Sequence, residues 1–138
     1  MIPPILSTLN GSTTLIYLDT HIVVWFYAND KQRFSTAMQT LMNQHEWTIS
    51  PMVRLELQYL HGIGRINPTA DTIIGELVQR VGLTICSKPF NDVIDKATQL
   101  SWTRDPFDRI LVAHASLNAD LLVTSDQTIR AHYPHARW

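Results

Sequence analysis

The 138-residue chain (15.8 kDa) has the size of one domain, and 45% hydrophobic against 17% charged residues excludes a disordered or collagen-like polymer. Eleven Lys and Arg stand against twelve Asp and Glu, so net attraction to nucleic acid is absent and any such binding needs a local arrangement. The single cysteine, Cys86, excludes an internal disulfide and fits a reducing, cytoplasmic setting, and no apolar run reaches the ~18 residues that cross a membrane.

Met1–Thr14 reads as a leader rich in Pro, Ser and Thr. Its first ten residues hold no Lys or Arg and no apolar run longer than a pair such as Ile5-Leu6, which is not a signal peptide. Leu15–Leu18 is a short continuous apolar run ending at Asp19, the pattern of a strand covered on both faces. Helical spacing follows through Trp25, and Ser35 is placed to cap a helix to Asn43. Trp47–Ile49 is a second strand. Ser50-Pro51 is a cap followed by a first-turn proline, opening a helix to His61. Helical spacing returns from Pro68 to Arg80, closed by Gly82, and Leu83–Cys86 is a third strand. Pro89–Trp102 is helical in period. Asp105-Pro106 repeats the cap-plus-proline signal and opens a helix to Asn118. Leu121–Thr124 is a fourth strand, and a short helix and tail close the chain. Short buried strands alternating with helices predict one three-layer α/β/α domain around a parallel sheet.

In such sheets ligands bind at the carboxyl ends of the strands. Asp19 ends the first strand and Asp126 follows the fourth, so each is either a helix cap or part of a site. Glu56 lies off the polar stripe of Arg54, Gln58, His61 and Arg65. It shares a face with Met52, Val53, Leu60 and Ile63, a surface expected to pack on the sheet. A carboxylate there is costly unless a cation or metal meets it. Asp108 shares its face with Leu111, Val112 and Ala115, whereas Asp105 takes the N-cap, so Asp105 reads as structural and Asp108 as functional.

Four acids can thus converge on one crevice, and clustered carboxylates need a counter-charge. With one cysteine and no HxxxH or HExxH pairing, zinc is not indicated. All-oxygen ligands favour Mg²⁺ or Mn²⁺, hence phosphate substrates and metal-assisted phosphodiester hydrolysis. Thr20, Thr124 and Ser125 flank the strand-end acids and either orient them or cap helices. Arg109 is open between a phosphate contact and a solvent-side ion pair. His21 and Cys86 read as packing residues. A phosphoacceptor signalling domain is the rival. It wants an adjacent acid pair after the first strand, where this chain has Asp19-Thr20-His21.

The same residues carry a family resemblance. Leu-Asp-Thr-His at 18–21, Leu-Glu-Leu at 55–57 with Gly-Arg-Ile at 64–66, Asp-Pro-Phe-Asp-Arg at 105–109 and Thr-Ser-Asp at 124–126 resemble the PIN domain, specifically VapC-type ribonuclease toxins. The order matches, and the resemblance spans 15–138, with 1–14 outside it. It implies that Asp19, Glu56, Asp108 and Asp126 form an acidic Mg²⁺ or Mn²⁺ site that cleaves RNA. It also implies a homodimer and a cognate antitoxin that inserts near the site. Many relatives place Lys four residues after the helix Glu. Leu60 stands here, so no Lys contact to substrate is expected at that point. A PIN scaffold used only for binding is a further alternative, against which the four intact acids speak.

Overall fold

The computed structural model describes residues 15–138, so the leader expectation for 1–14 lies outside the described residues. Leu15–Leu18 forms β1, and its last three residues are buried, as expected of a strand covered on both faces. Thr20–Tyr27 is α1, and after a 3₁₀ turn at Lys31–Arg33 the chain forms α2 (Thr36–Asn43) and β2 (Glu46–Ile49). Then come α3 (Pro51–Gly62), α4 (Ala70–Val81), β3 (Thr84–Ile85), α5 (Phe90–Thr98) and α6 (Pro106–Ser116). β4 (Leu121–Val123), α7 (Gln127–His132) and β5 (Ala136–Arg137) complete the fold. The predicted caps form: Ser35 and Ser50 accept from Met38 N and Met52 N, and Gly82 ends α4 at φ 70°.

All strands among the described residues are parallel, in the order β3-β2-β1-β4-β5. Crossovers run one way from β1 to β3 and the other way from β3 through β4 to β5. Right-handedness therefore puts α1–α4 and α5–α7 on opposite faces, giving the expected three layers. Consistent with this, α1, α3 and α4 touch one another and α5 pairs with α6, while α3 also meets α6. The order reverses between β1 and β4, and a crevice opens at that switch point. No helix among the described residues is long and apolar enough to cross a membrane.

Several expectations are corrected. A fifth strand, β5, stands where only a tail was expected; a half-buried Ala136 and an exposed Arg137 carry no apolar run to announce it. α5 stops at Thr98 rather than Trp102. The Thr98 hydroxyl bonds back to Asp95 O, the next amides bond three residues back, and Leu100 and Trp102 then pack on the core from a loop. α6 ends at Ser116, two residues before Asn118, and β3 keeps only Thr84–Ile85 of the expected run. α3 ends at Gly62, so Arg65 is not on its polar stripe, and Ile63 is half-exposed rather than packed on the sheet.

A polar network lies buried away from the crevice. Lys88 Nζ donates to His114 O in the last turn of α6 (3.0 Å) and to Asp120 Oδ2 (3.2 Å), and sits 5.1 Å from the centre of the Tyr17 ring. The Tyr17 hydroxyl donates to Cys86 Sγ, and Tyr133 to Asp120 O. Burial pushes both phenols above the usual tyrosine range. Cys86 is thus half-buried and hydrogen-bonded, a packing residue as read.

Candidate active site

The crevice is built at the ends of β1 and β4. Asp19 N donates to Val123 O (3.0 Å), fastening one strand end to the other. The Asp19 carboxylate is buried at 8% exposure; Oδ1 accepts from Thr20 N (2.7 Å) and Oδ2 from the Thr124 hydroxyl (2.6 Å). Thr124 Oγ1 in turn accepts from Asp126 N, and Asp126 Oδ1 caps α7 at Ile129 N. On the other side the Thr20 hydroxyl donates to Glu56 Oε1 (2.5 Å). The two threonines therefore connect three of the four acids, as orienting residues. Ser125 lies half-buried beside Asp126 and stands outside these bonds.

Glu56 is half-buried, between Val53 and Leu57, which face the core. Its helix is joined to α6 by a buried contact of Ser50 Oγ with His114 Nδ1 at 2.9 Å; that nitrogen also approaches Ile110 O at 3.2 Å. Burial lowers the affinity of this imidazole for a proton. The helices bearing Glu56 and Asp108 are thus tied at a neutral histidine.

The electrostatics show that the acids face one another. Burial raises Asp19 above the usual carboxylate range, against the Thr124 and Thr20 hydrogen bonds that favour its charge. Burial likewise raises Glu56, with a further push from Asp19. Asp108 is pushed up to about 7, first by burial and then by the charges of Asp105, Asp19, Asp126 and Glu56. Among the described residues, no three His, Cys, Asp or Glu side chains close on a common point tightly enough to hold an ion. The chemistry of the four acids, carboxylate oxygens with no soft ligand, suits a hard divalent cation.

Asp105 occupies the N-cap of α6, exposed, with Oδ1 accepting from Phe107 N (2.9 Å). Asp105→Ala should therefore cost about 1 kcal/mol in urea unfolding and keep most of whatever activity the crevice has. Loss of activity at unchanged stability would reverse the assignment of this acid. Arg109 makes no solvent-side ion pair: the four pairs among the described residues use Arg33, Arg54, Arg80 and Lys88. Its Nε is buried without a partner. His21, read as packing, is exposed, stacks on Trp25 and lies near enough to Asp19 and Glu56 to favour their charged forms.

Comparison with known proteins agrees with this fold. The family model described as PIN domain matches residues 16–133. Ribonuclease VapC22 of Mycobacterium tuberculosis (strain ATCC 25618 / H37Rv) is 27% identical over 124 residues, covering 86% of this chain and 92% of that protein. Among solved structures, VapBC2 from Rickettsia felis bound to a promoter DNA fragment superposes with TM-score 0.62 at 19% identity, over 89% of this chain and 96% of the other. DNA-bound VapBC from Salmonella typhimurium gives 0.63 at 15%, over 91% and 96%. A toxin–antitoxin complex from Klebsiella pneumoniae gives 0.57 at 14%, over 89% and 96%. At those identities the structures speak for the fold.

Proposed function

The chain belongs to the PIN domain family, and from that membership we propose that it is a Mg²⁺- or Mn²⁺-dependent endoribonuclease, the toxin of a toxin–antitoxin pair. The observation that carries the reading is the crevice: four acids from two strand ends and two helices, with Asp108 pushed up to about 7 by burial and its acidic neighbours. A cation there would be held by Asp19, Glu56, Asp108 and Asp126. When bound, it supplies a hydroxide for attack on the phosphodiester and neutralises the charge that develops. The chain's own part is orientation, with Thr124 holding Asp19, Thr20 holding Glu56, and α7 holding Asp126. The ribonuclease name of the 27% relative and the assemblies of the structural neighbours support the same reading.

A toxic ribonuclease in the cytoplasm needs a stoichiometric restraint. The fitting partner is a small antitoxin that presents an Arg or Lys to the acids in place of metal. Near-neutral net charge favours selective cleavage of a structured RNA over bulk digestion. Leu55, Tyr59 and Phe90, each more than half exposed, offer apolar surface for a homodimer.

Purified protein should cleave RNA with Mg²⁺ or Mn²⁺ and stop in EDTA, and its induction alone should arrest bacterial growth until the antitoxin is co-expressed. Full cleavage in EDTA would remove the metal from the proposal. Undisturbed growth at high expression, in a host lacking the partner, would remove the toxin and leave a housekeeping nuclease.

A further inference from the structure

We infer that a strip of aromatic and arginine side chains running from the acidic crevice to the β5 edge is a binding track for single-stranded RNA flanking the cleaved phosphodiester; this rests on the ribonuclease reading. The strip starts at His21, two residues beyond Asp19 and stacked on Trp25, with ring centres 6.2 Å apart at 24°. Trp25 meets Trp138 at 5.5 Å, and the Arg33 guanidinium lies 4.6 Å from the Trp25 ring centre. Trp138 then lines an open groove with Arg130 and Arg137. β5 runs parallel to β4, with Arg137 in register with Val123 and its carbonyl accepting from Thr124 N. The groove therefore begins beside the strand end that carries Thr124 and Asp126.

Three features favour RNA here. Arg130 and Arg137 are exposed and, among the described residues, lack a carboxylate partner, unlike Arg33, Arg54 and Arg80. Arg137 places one guanidinium nitrogen on the carbonyls of Pro134 and Ala136, which leaves its other donors for a phosphate. Trp138 is only partly buried where it lines the groove, and such a ring stacks on any base without reading sequence; Trp25, already met by His21, Arg33 and Trp138, supports it from behind. A chain of net charge −1 with an acidic crevice repels a polyanion unless a local cationic surface holds it, and this groove lies next to that crevice.

The test is fluorescence anisotropy of a labelled, mixed-sequence 12-nucleotide RNA on the full chain in EDTA, across a salt series. RNA cleavage by the wild type in Mg²⁺ is measured separately. Arg130→Gln/Arg137→Gln should weaken binding about tenfold and reduce the slope of log affinity against log salt by about 1.4, near 0.7 per lost phosphate contact. The Lys pair at the same positions should restore the slope. Trp138→Leu should weaken binding about tenfold with the slope unchanged. Cleavage by the wild type together with unchanged affinity and slope in the Gln pair overturns the track and leaves the nuclease standing. So does a Lys pair that restores nothing. A wild type that neither binds nor cleaves RNA overturns both.

Discussion

Asp108→Asn is expected to lower RNA cleavage by about a thousandfold and, in the same sample, to raise the melting temperature of the metal-free protein at pH 8. The two effects have one origin. Asp108 is held near 7 in the fold against about 3.9 in an unfolded chain. Between those values the native state binds the proton that the unfolded state has released, so stability falls as pH rises through this window. Above 7 the carboxylate is charged among Asp19, Asp126 and Glu56 and the full penalty is present; below 4 it is absent. Asn removes the penalty. Discounted for the solvent that reaches this half-buried group, the gain at pH 8 is about 2 kcal/mol, roughly 5 °C in a chain of this length, and it should vanish by pH 4. Mg²⁺ should raise the wild-type melting temperature at pH 8 and leave the variant nearly unmoved. A variant that is less stable at pH 8, or as active as wild type, would show Asp108 to be a structural acid.

Lys88→Met should have the largest stability effect, a loss of about 3 kcal/mol in urea unfolding. The side chains of Lys88 and Asp120 are only 18% and 17% exposed. Removing the ammonium strands a mostly buried carboxylate, uncovers the His114 carbonyl at the end of α6, and takes a cation from the Tyr17 ring. Asp120→Asn in the Lys88→Met background should recover about half of the loss, because a neutral amide is less costly to bury than an unpaired charge. A loss under about 1 kcal/mol would mean that water reaches and satisfies the pair.

What could be read in advance was what chain neighbours decide. Leu15–Leu18 and Leu121–Val123 announce buried parallel strands by unbroken apolar runs, and Ser50-Pro51 and Asp105-Pro106 mark helix starts by their own cap chemistry. The positions of Asp19 and Asp126 at strand ends followed from the same runs. What long-range contact decides was not legible. The Thr20–Glu56 and Thr124–Asp19 bonds join residues 36 and 105 apart. β5 owes its existence to β4 rather than to its own residues, and Arg109 Nε is buried only because the surrounding fold covers it. The apolar spacing puts Glu56 on an inward face, yet Val53 and Leu57 take that place and leave it at the margin. A helical stripe shows which residues share a side, and the neighbours decide how deep that side goes.

The fastening of Asp19 to Thr124 has a consequence for synthesis. β1 is made early and lies at the centre of the sheet, but the strand that completes one side of the crevice follows after a separation of 105 residues. A chain still being translated holds Asp19 and Glu56 without Thr124 to orient the first and without Asp126 beside it. If the crevice cuts RNA, the nascent polypeptide is harmless to the ribosome that is making it. On that same condition, a restraining partner would have to act only on finished molecules, and a truncated product that ends before β4 would be innocuous without it.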